Sequence, residues 1–174
     1  MWLGATANEV VDKLVSQLEN NTLTADLTLR MEESATQVLT YSGKIVMRGN
    51  KFRLEMTQME IAYDGSTLYT YQSENNELTL STPTAEELSE IIPQLYMKQL
   101  LQQSTPRVEQ IGDRYKIIVD DFTLIISRDY LPLTLTMKES ATKKAVLKLQ
   151  NAVYSQAQPA FSISKAGAYL NDLR

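Results

Sequence analysis

Apolar residues recur at every second position along most of this chain, which is the pattern of half-buried β-strands. The alternation fills five segments between residues 23 and 80 and four more between residues 115 and 149. Short turn sequences such as Asp64-Gly65 and Asp120-Asp121 separate neighbouring segments, and turns this short join antiparallel hairpins. The sequence therefore predicts an α+β, mainly β, fold with about ten to eleven antiparallel strands in one sheet.

Two helical regions interrupt the strand pattern, and each begins with a Thr-x-x-Glu capping box. The first covers about residues 6–19, where apolar residues recur at helical spacing. The second is an insertion at residues 83–104. Because Pro93 lacks the N–H that a helix interior needs, we expect a kinked or two-piece helix there. The apolar stripe of this insertion consists of Leu88, Ile91, Ile92 and Leu95.

About ten strands, each with one apolar face, present more apolar surface than two or three short helices can cover. Such a sheet is expected to curl into an incomplete barrel, and large barrels enclose ligand cavities. The lining would include methionines, whose unbranched side chains re-pack around variable apolar shapes. The periodicity by itself does not require a hollow, and it favours an ordinary β-sandwich core filled by the same side chains.

The composition argues against several classes of function. The 174 residues include no cysteine and no histidine, which removes disulfides, thiol nucleophiles, the usual zinc sites and the commonest acid–base residue. The adjacent carboxylates Asp120-Asp121 and Glu86-Glu87 lie where a turn and a helix N-terminus favour acidic residues. We therefore expect no enzyme, no metal site and no cofactor. A net charge of −4 with scattered basic residues argues against nucleic-acid binding, and no apolar stretch is long enough to span a membrane.

The first residues resemble the end of an export signal. Ala5-Thr6-Ala7 has the small-x-small form of a signal-peptidase site, and Trp2-Leu3 could end the apolar segment before it. We interpret residues 1–7 as a signal-peptide remnant or a tag, and we expect an exported protein. A capping role for Thr6 is compatible with this interpretation.

The order of these segments resembles the periplasmic lipoprotein carrier family, the LolA/LolB-like proteins, and within it the Bacteroidetes-type members. The resemblance runs from about residue 8 to residue 163. It rests on an opening helix, then "SGKIVMRGNKFRLEM", "AYDGSTLYTY", the inserted helix, "DYLPLTLTM" and a closing "PAFSI". Its most specific pieces are residues 43–55 and 64–71.

The resemblance implies a single LolA-like domain over residues 1–174, with a half-open barrel, a helical lid at 83–104 and a tail at 164–174. Its cavity would carry the acyl chains of lipoproteins through the periplasm from the inner to the outer membrane. The implied partners are acylated lipoproteins and an inner-membrane lipoprotein-releasing transporter, with an outer-membrane acceptor left open and a monomer expected. The alternative is a non-carrier envelope protein that uses the same half-barrel as a lipid or lipoprotein sensor or scaffold.

The resemblance also suggests site residues. Arg48 would latch the lid by donating to carbonyls of its helices; the alternative is an exposed residue beside a hairpin turn. The lid would present Leu88, Ile91, Ile92 and Leu95. The acyl-chain cavity would be lined by Leu27, Leu29, Met31, Ile45, Met47, Phe52, Leu54, Met56, Leu124, Leu133, Leu135 and Met137.

Overall fold

A computed structural model describes residues 6–91, 101 and 105–174 of the protein. Within these ranges, the helices α1 (Ala7–Asn20) and α2 (Ala85–Ile91) accompany one twelve-stranded sheet. No helix among these residues is long and apolar enough to cross a membrane. The strands are β1 (Thr22–Glu32), β2 (Val38–Arg48), β3 (Lys51–Met56), β4 (Met59–Tyr63), β5 (Leu68–Gln72), β6 (Glu77–Ser81), β7 (Arg107–Ile111), β8 (Arg114–Val119), β9 (Phe122–Ser127), β10 (Pro132–Lys138), β11 (Lys144–Ser155) and β12 (Tyr169–Asp172).

The sheet is open, with β12 and β7 at its two edges. Its order is β12-β6-β5-β4-β3-β2-β1-β11-β10-β9-β8-β7. Hairpins account for most of this order, and the pairing of β1 with β11 joins the two halves of the chain. The predicted antiparallel sheet is confirmed apart from its last strand: β12 pairs in parallel with β6, inside the segment that the sequence analysis treated as a tail.

The position of α1 shows that the sheet is strongly curved. The helix contacts both β2 and β7, which stand six places apart in the sheet order. Six strand spacings of a flat sheet would span about 29 Å. The 14 residues of α1 reach only about 21 Å. The sheet therefore bends around the helix, and the predicted half-open barrel is confirmed.

Both helices begin at the predicted caps. Glu9 N–H donates to Thr6 Oγ1, and the Glu9 carboxylate accepts from Thr6 N–H. At α2 the same pair of bonds joins Thr84 and Glu87. The kink that the sequence predicts at Pro93 lies outside the described residues.

The two faces of the sheet carry separate apolar clusters. The larger cluster fills the concave face beneath α1 and includes Leu14, Phe52 and Ile126. A smaller one lies on the convex face, where residues from β4 and β6 pack against Ile163 of the C-terminal segment. A strap of residues 156–168 thus covers part of the convex face, and a salt bridge of 2.7 Å from Lys165 Nζ to Glu60 Oε1 fastens it.

Strand β10 contains a bulge that alternation could not predict. Pro132 pairs with Ile126 and Thr134 pairs with Ile125, so Leu133 is an extra residue with no partner of its own on β9. A bulge reverses the inward and outward alternation on one side of it. Pro132 is fully buried in place of Leu133, which is only half-buried. Whether Leu133 shares the core face with Leu135 stays a prediction.

Candidate functional site

The concave face contains an open cavity of about 320 Å³, and no residue of α1 lines it. This volume is at the lower end of the range of about 300–1,000 Å³ that is typical of small-molecule sites. Five strands supply the wall. The lining residues are Leu27, Leu29, Met31, Tyr41, Ile45, Leu54, Met56, Met59, Ile61 and Leu147.

Cross-strand pairing brings these side chains together. Leu29 on β1 stands opposite Tyr41 on β2 and Leu147 on β11. A second row runs from Ile45 through Leu54 to Ile61, across β2, β3 and β4. Because directly opposed residues point to the same face of a sheet, each row adds a continuous apolar strip to the cavity wall.

The lining becomes more exposed towards one end of the half-barrel. Ile45, deep in the cavity, has 2% of its surface exposed, whereas Tyr41 at the β1–β2 hairpin end has 43% exposed. Met31, Met56 and Met59 lie between these limits. The cavity therefore opens to solvent past a rim of flexible, polarizable side chains, which adapt to ligands of different shape.

No lining residue carries a formal charge, and the Tyr41 hydroxyl is the one side-chain oxygen among the residues that line the cavity. Within the described part of the chain, no group of three or more acidic residues could hold a metal ion. Such a wall can bind a hydrocarbon chain by excluding water. It cannot neutralise or orient a charged headgroup, which would have to remain at the open end.

A family model described as outer membrane lipoprotein carrier protein LolA matches residues 4–141. The chain belongs to the LolA family. No curated protein matches the chain significantly.

Several solved structures resemble the chain at low sequence identity. An uncharacterized conserved protein from Thermus thermophilus is 13% identical with a TM-score of 0.64; the match covers 97% of this chain and 99% of that one. A LolA superfamily protein from Nitrosomonas europaea is 11% identical with a TM-score of 0.48, covering 92% and 99%. A chain of the Pseudomonas aeruginosa MucA/MucB complex is 15% identical with a TM-score of 0.46, and the match covers 90% of this chain and 59% of that one.

The structure divides the twelve predicted LolA-type cavity residues into three groups. Six of them line the cavity: Leu27, Leu29, Met31, Ile45, Leu54 and Met56. Another five do not line the cavity, although they belong to the same concave cluster or lie against it: Met47, Phe52, Leu124, Leu135 and Met137. Leu133 lies at the β10 bulge. Alternation identified the face correctly for the first two groups and could not tell which end of that face was hollow.

Four lining residues were absent from the predicted set. Ile61 and Leu147 belong to alternating segments and carried a usable signal. Tyr41 and Met59 stand beside hairpin ends, where the alternation is interrupted. Their positions become apparent only from the strand register, which places Tyr41 opposite Leu29.

The predicted lid and latch are only partly within the described residues. Leu88 on α2 packs against the concave core, whereas the Ile91 side chain and all of Ile92 and Leu95 lie outside them. Arg48 Nη1 donates to Thr22 Oγ1 at 3.2 Å. This bond ties the end of β2 to the start of β1, and a latch between Arg48 and the lid stays a prediction.

Proposed function

We propose that this protein is a periplasmic carrier that holds lipoprotein acyl chains in its half-barrel cavity and moves them from the inner to the outer membrane. The observation that carries the proposal is the uncharged cavity on the concave face, open at the β1–β2 hairpin end. An inner-membrane transporter would load the cavity, and an outer-membrane acceptor or the membrane itself would receive the cargo.

The energetics of acyl chains explain why such a cavity would be needed. At about 0.8 kcal/mol for each buried CH₂ group, a sixteen-carbon chain is held in a membrane by roughly 12 kcal/mol. A carrier must offset most of that free energy with its own apolar surface. The leucine, isoleucine and methionine side chains of the wall provide surface of this kind.

The open end supports reversible binding. A ligand that is fully enclosed in a rigid, complementary site dissociates slowly, because most affinity differences arise in the dissociation rate. Here the mouth is bordered by half-exposed methionines and by Tyr41. Such a rim favours the transfer of cargo to an acceptor over permanent storage.

The first test is uptake of a fluorescent fatty acid by the wild-type protein and by two matched variants. Leu29→Trp places an indole inside the cavity, and we expect at least a tenfold loss of affinity because the ligand volume is occupied. Thr28→Trp, on the neighbouring residue of the same strand and on the opposite face, should bind like the wild type. Equal affinity of the two variants, or a wild-type protein that binds no fatty acid, would overturn the proposal.

A transfer assay separates a carrier from a lipoprotein sensor or scaffold. Inner-membrane vesicles containing a labelled triacylated lipoprotein and its releasing transporter would be mixed with the protein and with outer-membrane vesicles. Delivery of the label to the acceptor vesicles is expected of a carrier. A stable complex that never delivers the label would favour the sensor or scaffold.

A further inference from the structure

Among the described residues, residues 38–42 of β2 have a neighbouring strand on one side only. On the β1 side, the pairing runs without a break from Leu23–Met47 to Glu32–Val38. On the β3 side, pairing ends at Gly43 and Met56, where the chain turns into β4. Gly43 marks the departure point: a Cβ atom there would overlap the backbone carbonyl oxygen of Glu55. Beyond it, β2 continues as a half-paired strand.

The strand register identifies the backbone groups on this free edge. Arg48 and Lys51 close a two-residue hairpin loop, so their N–H and C=O groups point at each other. Every second residue of an antiparallel strand points the same way. Val38, Thr40 and Ser42 therefore direct their backbone groups away from β1. All residues from 38 to 42 are exposed, which makes the edge accessible.

A second hairpin shows how such an edge is covered elsewhere in this molecule. The β10–β11 loop repeats the Glu-Ser-Ala-Thr sequence of the β1–β2 loop. Ser34 Oγ accepts from Gln37 N–H at 3.1 Å, and Ser140 Oγ accepts from Lys143 N–H at 3.0 Å. The two hairpins are adjacent, because β1 pairs with β11. The outer strand of the second hairpin, β10, pairs with β9, whereas the corresponding part of β2 has no such neighbour among the described residues.

A groove of about 470 Å³ runs beside the free edge of β2. Five of its nine lining residues are uncharged and polar, three are Tyr41 and two methionines, and Glu74 is the one charged side chain among them. Tyr41, Met56 and Met59 belong both to this groove and to the apolar cavity, so the groove adjoins the cavity. The groove residues are Thr40, Tyr41, Ser42, Met56, Thr57, Gln58, Met59, Gln72 and Glu74.

Because the groove adjoins the cavity, we infer that residues 38–42 are a strand-addition site for the peptide segment that follows an acylated residue of the cargo. The acyl chain enters the apolar cavity, and the peptide pairs with the backbone of Val38, Thr40 and Ser42. The hydroxyl and amide lining suits small uncharged side chains, and Glu74 disfavours an acidic segment. The inference rests on the proposed function and adds to it a peptide-recognition step that uses main-chain hydrogen bonds.

Affinity provides the first measurement. A palmitoylated hexapeptide of serine, alanine and asparagine should bind at least tenfold more tightly than palmitic acid, because the anchored peptide forms its hydrogen bonds intramolecularly. Two N-methylated versions of the peptide would carry N-methyl groups on its odd-numbered or on its even-numbered residues. Only the version whose N-methyl groups replace the N–H groups facing β2 should lose affinity. Binding of the peptide no tighter than palmitic acid, or equal binding of the two N-methylated versions, would overturn the inference.

A pair of variants tests the site on the protein. Thr40→Pro removes the outward N–H of residue 40, and proline is tolerated at the edge of a sheet. Thr40→Val is the control that keeps this N–H. We expect Thr40→Pro to lose at least tenfold in affinity for the palmitoylated peptide and to keep its affinity for palmitic acid. Equal peptide affinity in the two variants would overturn the inference.

Two further results would give the free edge of β2 a different role. If the wild-type protein binds no palmitic acid, the proposed function fails, and the acyl-linked occupant fails with it. If the wild-type protein is a dimer by analytical ultracentrifugation and Thr40→Pro makes it monomeric, the edge belongs to a second copy of this chain. That result would overturn the assignment to cargo.

Discussion

At one end of the concave face, α1 fills the space between the strands, and at the other end the same strands enclose a cavity. Leu23 and Leu29 both lie on β1 and point to the same face. Leu23 is almost completely buried beneath α1, whereas Leu29 lines the cavity. The two residues share a strand and a side-chain direction. Their difference in burial therefore arises from the element that covers each of them.

This comparison shows how one apolar face can provide both stability and a binding site. The filled end has Phe52 and Leu14 without exposed surface, as expected of a close-packed core. The hollow end has partly buried methionines around empty space. The filled end is therefore expected to provide most of the folding free energy, which leaves the hollow end free to bind a ligand.

The largest expected effect is at β10, where the bulge separates two leucines that the alternation treats alike. Leu135 is 3% exposed in the filled part of the face, so Leu135→Glu buries an unpaired carboxyl and should lower the free energy of unfolding by about 4 kcal/mol or more. Leu133→Glu, at the bulge, should change it by about 1 kcal/mol or less. Urea denaturation measures both values. If Leu133→Glu lowers the free energy of unfolding as much as Leu135→Glu does, both side chains lie in the core.

A second experiment compares the two ends directly. Phe52 has 0% of its surface exposed, and Phe52→Ala should lower the free energy of unfolding by about 3–5 kcal/mol because a cavity replaces the ring. Met31 already borders a cavity, so Met31→Ala should lower it by only about 1 kcal/mol. The measurement is again urea denaturation. Similar losses in the two variants would mean that the hollow end is packed as tightly as the filled one.

The smallest expected effect concerns Arg48, which lies at the filled end. Arg48→Leu removes the hydrogen bond to Thr22 Oγ1 and should lower the free energy of unfolding by about 1 kcal/mol. The predicted latch adds a second effect, which is faster release of a bound fatty acid from Arg48→Leu.

Thr22→Val is the control for the latch, because it removes the same hydrogen bond from the other partner. It also removes the bond from Thr22 Oγ1 to the Ala157 carbonyl, so stability is measured beside release. If the two variants release the fatty acid at equal rates, the latch hypothesis is contradicted.

Local patterns in the sequence were sufficient for much of the fold. The capping pairs Thr6–Glu9 and Thr84–Glu87 were found where they were predicted, because a cap depends on neighbouring residues only. Strand β7 escaped prediction, since it is an edge strand with four exposed residues out of five and shows no alternation. The short parallel strand β12 depends on a distant partner, β6, and has no local signal.

The candidate site shows the limit of the same reasoning. The alternation placed Leu29, Ile45 and Leu54 on the concave face, and all three line the cavity. It predicted the same role for Phe52 and Leu135, although neither of them lines the cavity. The pattern records which face a side chain joins, and it contains no information on the element that covers that face.

The sequence by itself determined most of the strands, the helix caps and the apolar character of one sheet face, because each follows from spacing and residue type. Only the tertiary structure decided which part of that face is hollow, where β10 bulges, and which edge of β2 lacks a neighbour. These features depend on the curvature of the sheet and on where α1 crosses it. Both result from contacts between residues far apart in the chain, which a local pattern does not encode.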